Sequence, residues 1–82
     1  VSIRKVSIRQ IKAARALLGW SQPDLAEASG VSEPTIKRLE AAGDGTIGGR
    51  ADTGEKLVTA LESAGVEFIA ENGGGAGVRL RK

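Results

Sequence analysis

The chain has no cysteine, no histidine, no methionine and no tyrosine, and its aromatic content is one Trp and one Phe in 82 residues. Without cysteine there is no disulfide and no thiolate ligand, and without histidine the usual zinc sets are excluded too. The same two absences remove the nucleophile–base pairs on which many enzymes rest. The carboxylates are scattered over polar helix faces, so neither a catalytic cluster nor a cofactor or metal site is expected. No apolar run approaches the roughly 18 residues of a membrane span, and the N-terminus lacks the apolar core of a signal peptide. One small cytoplasmic protein is the expectation, near the lower size at which a single core suffices. Val1 leaves open a trimmed chain or a valine start codon. Charge is scarce in net terms, at +2, but uneven. Residues 1–42 hold seven Lys/Arg against four Asp/Glu, net +3, and residues 43–82 hold five against six, net −1. The basic excess is where a phosphate-contacting element would need it, although ordinary solvated charge would look much the same.

What is present is helical punctuation. Ser7 and Gln10 are spaced as a capping box and open a first helix to about Leu18, with Ile8, Ile11, Ala14, Leu17 and Leu18 as its apolar face. Residues 1–6 ahead of it read as a frayed terminus, with Arg4 and Lys5 as a backbone-contacting arm in the alternative. Gly19 ends the helix, and Trp20 is expected to clasp it to the next. Ser21 and Asp24 make a second capping box, with Pro23 tolerated in the first turn of a helix over about 22–29. Gly30 can take the left-handed conformation of a helix C-terminus. Ser32 caps a further helix over about 33–42, again with an early proline, Pro34. Two helices this short are marginal alone and need packing, which Leu25, Ala26, Val31, Ile36 and Leu39 supply. Ala26 is small enough to let the two approach at the turn. This is the pattern of a helix-turn-helix, whose second helix enters the DNA major groove.

The stretch QPDLAEASGVSEPTIKRLE resembles the helix-turn-helix of the phage repressor and Cro group, the XRE-like regulators. The matching features are Gln22 opening the first helix of the pair, Leu25–Ala26, Gly30–Val31, the Ser32 cap, Thr35–Ile36 and Arg38-Leu39-Glu40. ARALLGWSQ upstream fits the family's approach from the first helix, and the likeness covers roughly residues 8 to 65. It implies double-stranded DNA as partner and a dimeric, sequence-specific regulator, in particular a repressor. It implies further that Ser32, Glu33, Pro34 and Arg38 face the groove with Lys37 beside them. Arg38 would bond guanine bidentately, Glu33 would accept from a cytosine amino group, and Pro34 would touch a thymine methyl. Gln22, at a helix N-terminus, would bind phosphate and brace the first recognition residues. Arg15 would pair with Glu40, tying the first helix to the third. Glu33 and Pro34 depart from the glutamine, arginine or small polar residues usual in the family, which affects base preference more than docking mode.

Residues 43–52, GDGTIGGRAD, are a glycine-rich connection. It is no P-loop, because the G-K-[ST] ending and the preceding strand are missing. Arg50 would reach a phosphate from it. Thr53 is the expected cap of a fourth helix, about 54–64, with Leu57, Val58, Leu61 and Ala64 in the core and Gly65 as its stop. The period then changes. Val66 and Phe68 alternate with Glu67, and Val78 and Leu80 with Arg79, across ENGGGAG, which predicts a β-hairpin with Glu67 opposite Arg79 or Arg81. The fold class expected is therefore mostly α: a four-helix repressor-like domain over residues 1–65, with a hairpin extension over 66–82. A lone hairpin is marginal in water, so Val66, Phe68, Val78 and Leu80 are candidates for a homodimer or partner contact. Alternatively GVRLRK is a basic tail crossing DNA. A second reading makes the protein antitoxin-like or co-regulatory, its hairpin binding a protein partner while DNA binding serves autoregulation. A purely structural helical adaptor would have no DNA affinity.

Overall fold

The computed structural model describes residues 6–41, 51–69 and 73–81, with Ala51 described by its backbone alone. Four helices precede a two-stranded antiparallel hairpin: α1 (Ile8–Leu18), α2 (Gln22–Ser29), α3 (Glu33–Ala41), α4 (Ala51–Ser63), β1 (Val66–Ile69) and β2 (Gly77–Leu80). Among the described residues, no helix is long and apolar enough to cross a membrane.

Local chemistry sets both ends of the first two helices. Ser7 Oγ accepts from the Gln10 amide while Gln10 Oε1 accepts from the Ser7 amide, and Ser21 and Asp24 repeat the exchange one helix later. Each box satisfies two of the N–H groups that a helix start leaves without partners. Gly19 and Gly30 close α1 and α2 in the left-handed region, at φ 69° and 76°, where a side chain would clash with the backbone.

The helices hold together through a core of Val6, Ile11, Ala14, Leu25, Val31, Ile36, Leu57, Val58, Leu61, Val66 and Phe68. Burying each Leu, Ile or Phe here contributes roughly 1.5–3 kcal/mol. α2 packs on α3 and α4, while α1 lies against the hairpin and also touches α3 and α4. Leu18, Trp20, Ala26 and Leu39 fill in around the core, so Trp20 is partly buried at the α1–α2 junction.

Three details differ from the sequence-based expectation. Val6 is fully buried, so the last residue of the stretch expected to fray is part of the core. Leu17, assigned to the apolar face of α1, is 43% exposed. Successive three-residue steps from Ile8 through Ile11 and Ala14 each fall about 60° short of a full turn, and by Leu17 the drift has carried the side chain off the buried face. Leu18 lands back on it. Finally, α4 begins at Ala51, so Thr53 lies in its first turn rather than capping it, and Asp52 supplies the acidic side chain favoured at a helix start. Gly54 sits inside the helix and is buried. Glycine inside a helix costs roughly 0.5–1 kcal/mol relative to alanine.

The hairpin pairs Val66 with Leu80, Glu67 with Arg79, Phe68 with Val78 and Ile69 with Gly77. Glu67 and Arg79 meet at 2.9 Å on the exposed face. The Arg81 amide extends the pairing by donating to the Gly65 carbonyl at 2.8 Å. Gln10 fastens this unit to α1. Beyond closing its capping box, its Nε2 donates to the carbonyls of Ile69 (3.3 Å) and Gly77 (2.9 Å), the last cross-strand pair before the connecting loop. One buried carboxamide therefore caps a helix and anchors a hairpin.

Candidate nucleic-acid interface

α3 has an inner and an outer side. Ile36 and Glu40 are buried; Pro34, Lys37, Arg38 and Ala41 are exposed, and Glu33 and Thr35 are half-exposed at the margins. The inner side is held by a charged node. Glu40, only 6% exposed, receives Arg15 Nε at Oε2 (2.9 Å) and Arg15 Nη2 at Oε1 (2.8 Å), a bidentate fork. Gln22 Nε2 donates to the same Oε1 at 2.9 Å. Arg15 Nη1 reaches the Trp20 carbonyl at 2.9 Å, so one guanidinium joins α1, the α1–α2 turn and α3. Burial by itself would raise the Glu40 pKa. Hydrogen bonds from Arg15 and Gln22, with the positive charges of Arg15 and Lys12, outweigh it and hold the carboxyl below the usual glutamate range. Lys12 Nζ lies 3.4 Å from the Glu40 carbonyl oxygen, a cation beside the C-terminal turn of α3, where the helix dipole favours one.

The outer side carries the groups with chemistry for a nucleic acid. Ser32 is exposed at the start of α3; its Oγ accepts from the Thr35 amide at 3.4 Å and lies 2.8 Å from Thr35 Oγ1. Glu33 and Lys37 stand one turn apart with Nζ–Oε2 at 3.4 Å. Arg38 is exposed and has no ion-pair partner among the described residues. Pro34 lies between these charged groups as an exposed apolar surface. Gln22, expected at a phosphate, directs one carboxamide N–H inward to Glu40, leaving its second N–H and its backbone amide at that end of the helix, since Pro23 has no N–H and the Asp24 amide is taken by Ser21. Arg50 lies outside the described residues.

The hairpin positions separate into two groups. Val66 and Phe68 face the chain's own core and have no surface to offer a partner, which corrects their assignment to a contact face. The correction follows from α1 and α4 already covering that side of the sheet. Val78 is partly buried, and Leu80, at 44% exposure, is the hairpin's large apolar side chain open to solvent. Sequence reasoning also missed two polar contributors, Lys12 at the end of α3 and the second role of Gln10. Only the three-residue spacing of Gln10 from Ser7 was a usable signal.

Comparison with known proteins agrees with this arrangement. Residues 11–47 match the family model described as Helix-turn-helix, a span from the second turn of α1 past the end of α3. No curated protein matches the chain. The matched span carries the paired short helices, the glycine-closed turn between them and a third helix with a charged outer face. The chain thus carries an XRE-like helix-turn-helix of the phage repressor and Cro type, the domain of a DNA-binding transcriptional regulator.

Proposed function

We propose that the protein is a sequence-specific repressor that acts in the cytoplasm as a dimer and lays α3 in the major groove. The observation that carries this reading is the two-sidedness of α3. A buried fork of Arg15 on Glu40 fixes its inner side, and Pro34, Lys37 and Arg38 stand on the outer side. In the groove Arg38 bonds a guanine edge bidentately, Pro34 meets a thymine methyl and Glu33 accepts from a cytosine amino group. Ser32 faces the groove beside them, and the free N–H of Gln22, Lys37 and Arg50 serve phosphates, which set register without reading sequence. Repression needs nothing beyond occupancy, because a bound dimer excludes other proteins from its site. Two copies reading half-sites one helical turn apart need a twofold contact, for which Val78 and Leu80 are the available apolar groups on the hairpin.

The second reading, an antitoxin-like or co-regulatory protein, rests on the same exposed Leu80 between Arg79 and Arg81. There the hairpin holds a different protein. Copurification of a small protein encoded beside it would favour this reading over a homodimer.

The test is fluorescence anisotropy with DNA from upstream of the protein's own gene, against a shuffled duplex, over a salt series. The native fragment binds at least tenfold tighter, about 1.4 kcal/mol. Arg38→Ala removes that preference, since a bidentate base contact is worth about 1–3 kcal/mol of discrimination. Equal binding of both duplexes with a steep salt dependence would reduce the interaction to backbone attraction.

A further inference from the structure

Glu33 is out of place on a surface meant for DNA. α3 carries two carboxylates, and the other, Glu40, is buried and neutralised by Arg15. Glu33 is the carboxylate of α3 near the outer side, and there it holds Lys37 at 3.4 Å. Both side chains are solvent-accessible, at 36% and 62%, so the pair is easily opened.

A carboxylate only accepts hydrogen bonds. The DNA backbone offers it anionic oxygens alone, and the major groove offers donors only at the amino groups of cytosine and adenine. On any sequence without an amino group in its reach, Glu33 has two outcomes. Either it keeps Lys37, and a phosphate loses its cation, or Lys37 moves to the phosphate and the carboxylate is left facing acceptors. Both outcomes penalise the wrong sequence, and neither applies where an amino group takes the carboxylate and frees Lys37. Resting on the DNA-binding reading above, we propose that Glu33 determines specificity by exclusion: through its hold on Lys37 it weakens binding to non-matching DNA more than it strengthens binding to a matching site. Discrimination of this kind comes from a repulsive element built against competitors.

The experiment uses the full chain and a random-sequence duplex of about 20 base pairs, two helical turns, so no operator need be known. Wild type, Glu33→Gln, Lys37→Ala and the double variant are titrated by anisotropy over a salt series, with folding followed by circular dichroism. Glu33→Gln, which keeps the shape and removes the charge, binds the random duplex roughly five- to tenfold tighter at low salt. Its dependence of log K on log salt steepens by about 0.9, the increment for one more phosphate contact. In the Lys37→Ala background the same change gives a smaller gain, because no captive lysine is released. Unchanged or weaker binding by Glu33→Gln, with wild type binding normally, overturns this inference and leaves the DNA reading intact. An equal gain with and without Lys37 overturns the role given to the pair. If neither wild type nor Glu33→Gln binds the duplex at low salt, the DNA reading itself fails and takes this inference with it.

Discussion

Replacing Arg15 with methionine lowers the unfolding free energy by about 3 kcal/mol, at the lower end of the range for breaking a buried pair. The loss comes from the partner left behind. Glu40 is 6% exposed, and with Arg15 gone its charge keeps only the Gln22 carboxamide as a strong donor. For a domain of this size, about 3 kcal/mol corresponds to a melting temperature lower by roughly 12–24 °C. Glu40→Gln costs less, because Arg15 is 21% exposed and can recover water for its charge. The reverse order of the two losses would show that packing of the arginine stem, not the stranded carboxylate, dominates. Acid separates the cases further. In the wild type the folded-state pKa of Glu40 is depressed, so its stabilisation is present above the unfolded-state pKa and is lost as pH falls through the folded value. In Arg15→Met, burial acts on Glu40 without its main counter-charge, and protonation then favours the folded state. The stability gap between wild type and variant therefore narrows on acidification below the ordinary glutamate range. Urea midpoints measured from neutral pH downward read this directly.

Gln10→Leu is the second large loss, again about 3 kcal/mol, although it places an apolar side chain of similar size at a buried position. Gln10 accepts from the Ser7 amide at 2.8 Å and donates to the carbonyls of Ile69 and Gly77. Leucine leaves these three backbone groups without their partner, and a buried polar group deprived of its bond costs about 1–3 kcal/mol. Gln10→Glu is the more telling change. It preserves the capping acceptor for Ser7 but turns a carboxylate oxygen toward two carbonyl oxygens, so it destabilises at least as much as leucine at neutral pH. Denaturant titration, with hydrogen exchange at the Phe68 and Val78 amides, measures both effects. A loss below about 1 kcal/mol would mean that Val66 and Phe68 hold the hairpin through apolar contact alone.

These two residues also mark how far sequence reading reaches. Spacings of three residues are local facts of helix geometry, so the Ser7–Gln10 and Ser21–Asp24 boxes and the glycine stops at Gly19 and Gly30 were legible. The hairpin register of Glu67 against Arg79 was half legible, since alternation assigns faces but leaves the pairing open by a strand step. Arg15 facing Glu40 across 25 positions came from family resemblance, because no periodicity connects two helices separated by a third. The second task of Gln10, with partners 59 and 67 positions away, left no local trace. Neither did the burial of Val6, which depends on what later elements bring over it. Likewise, alternation placed Val66 and Phe68 on one face of the hairpin but could not say that their neighbour would be the chain's own core. On α3, positions off the Ile36 face were readable as outward, while the Glu33–Lys37 contact needed coordinates.

The proposed function stands or falls with the outer side of α3 as the DNA-reading surface. Amide chemical shifts of the 15N-labelled protein, titrated with duplex DNA from upstream of its own gene, test it most directly. The largest changes are expected at Ser32, Glu33, Lys37 and Arg38 and at the α2 start around Gln22, with the amides of β1 and β2 little affected. Changes centred on Val78 and Leu80, with α3 unmoved, would contradict it.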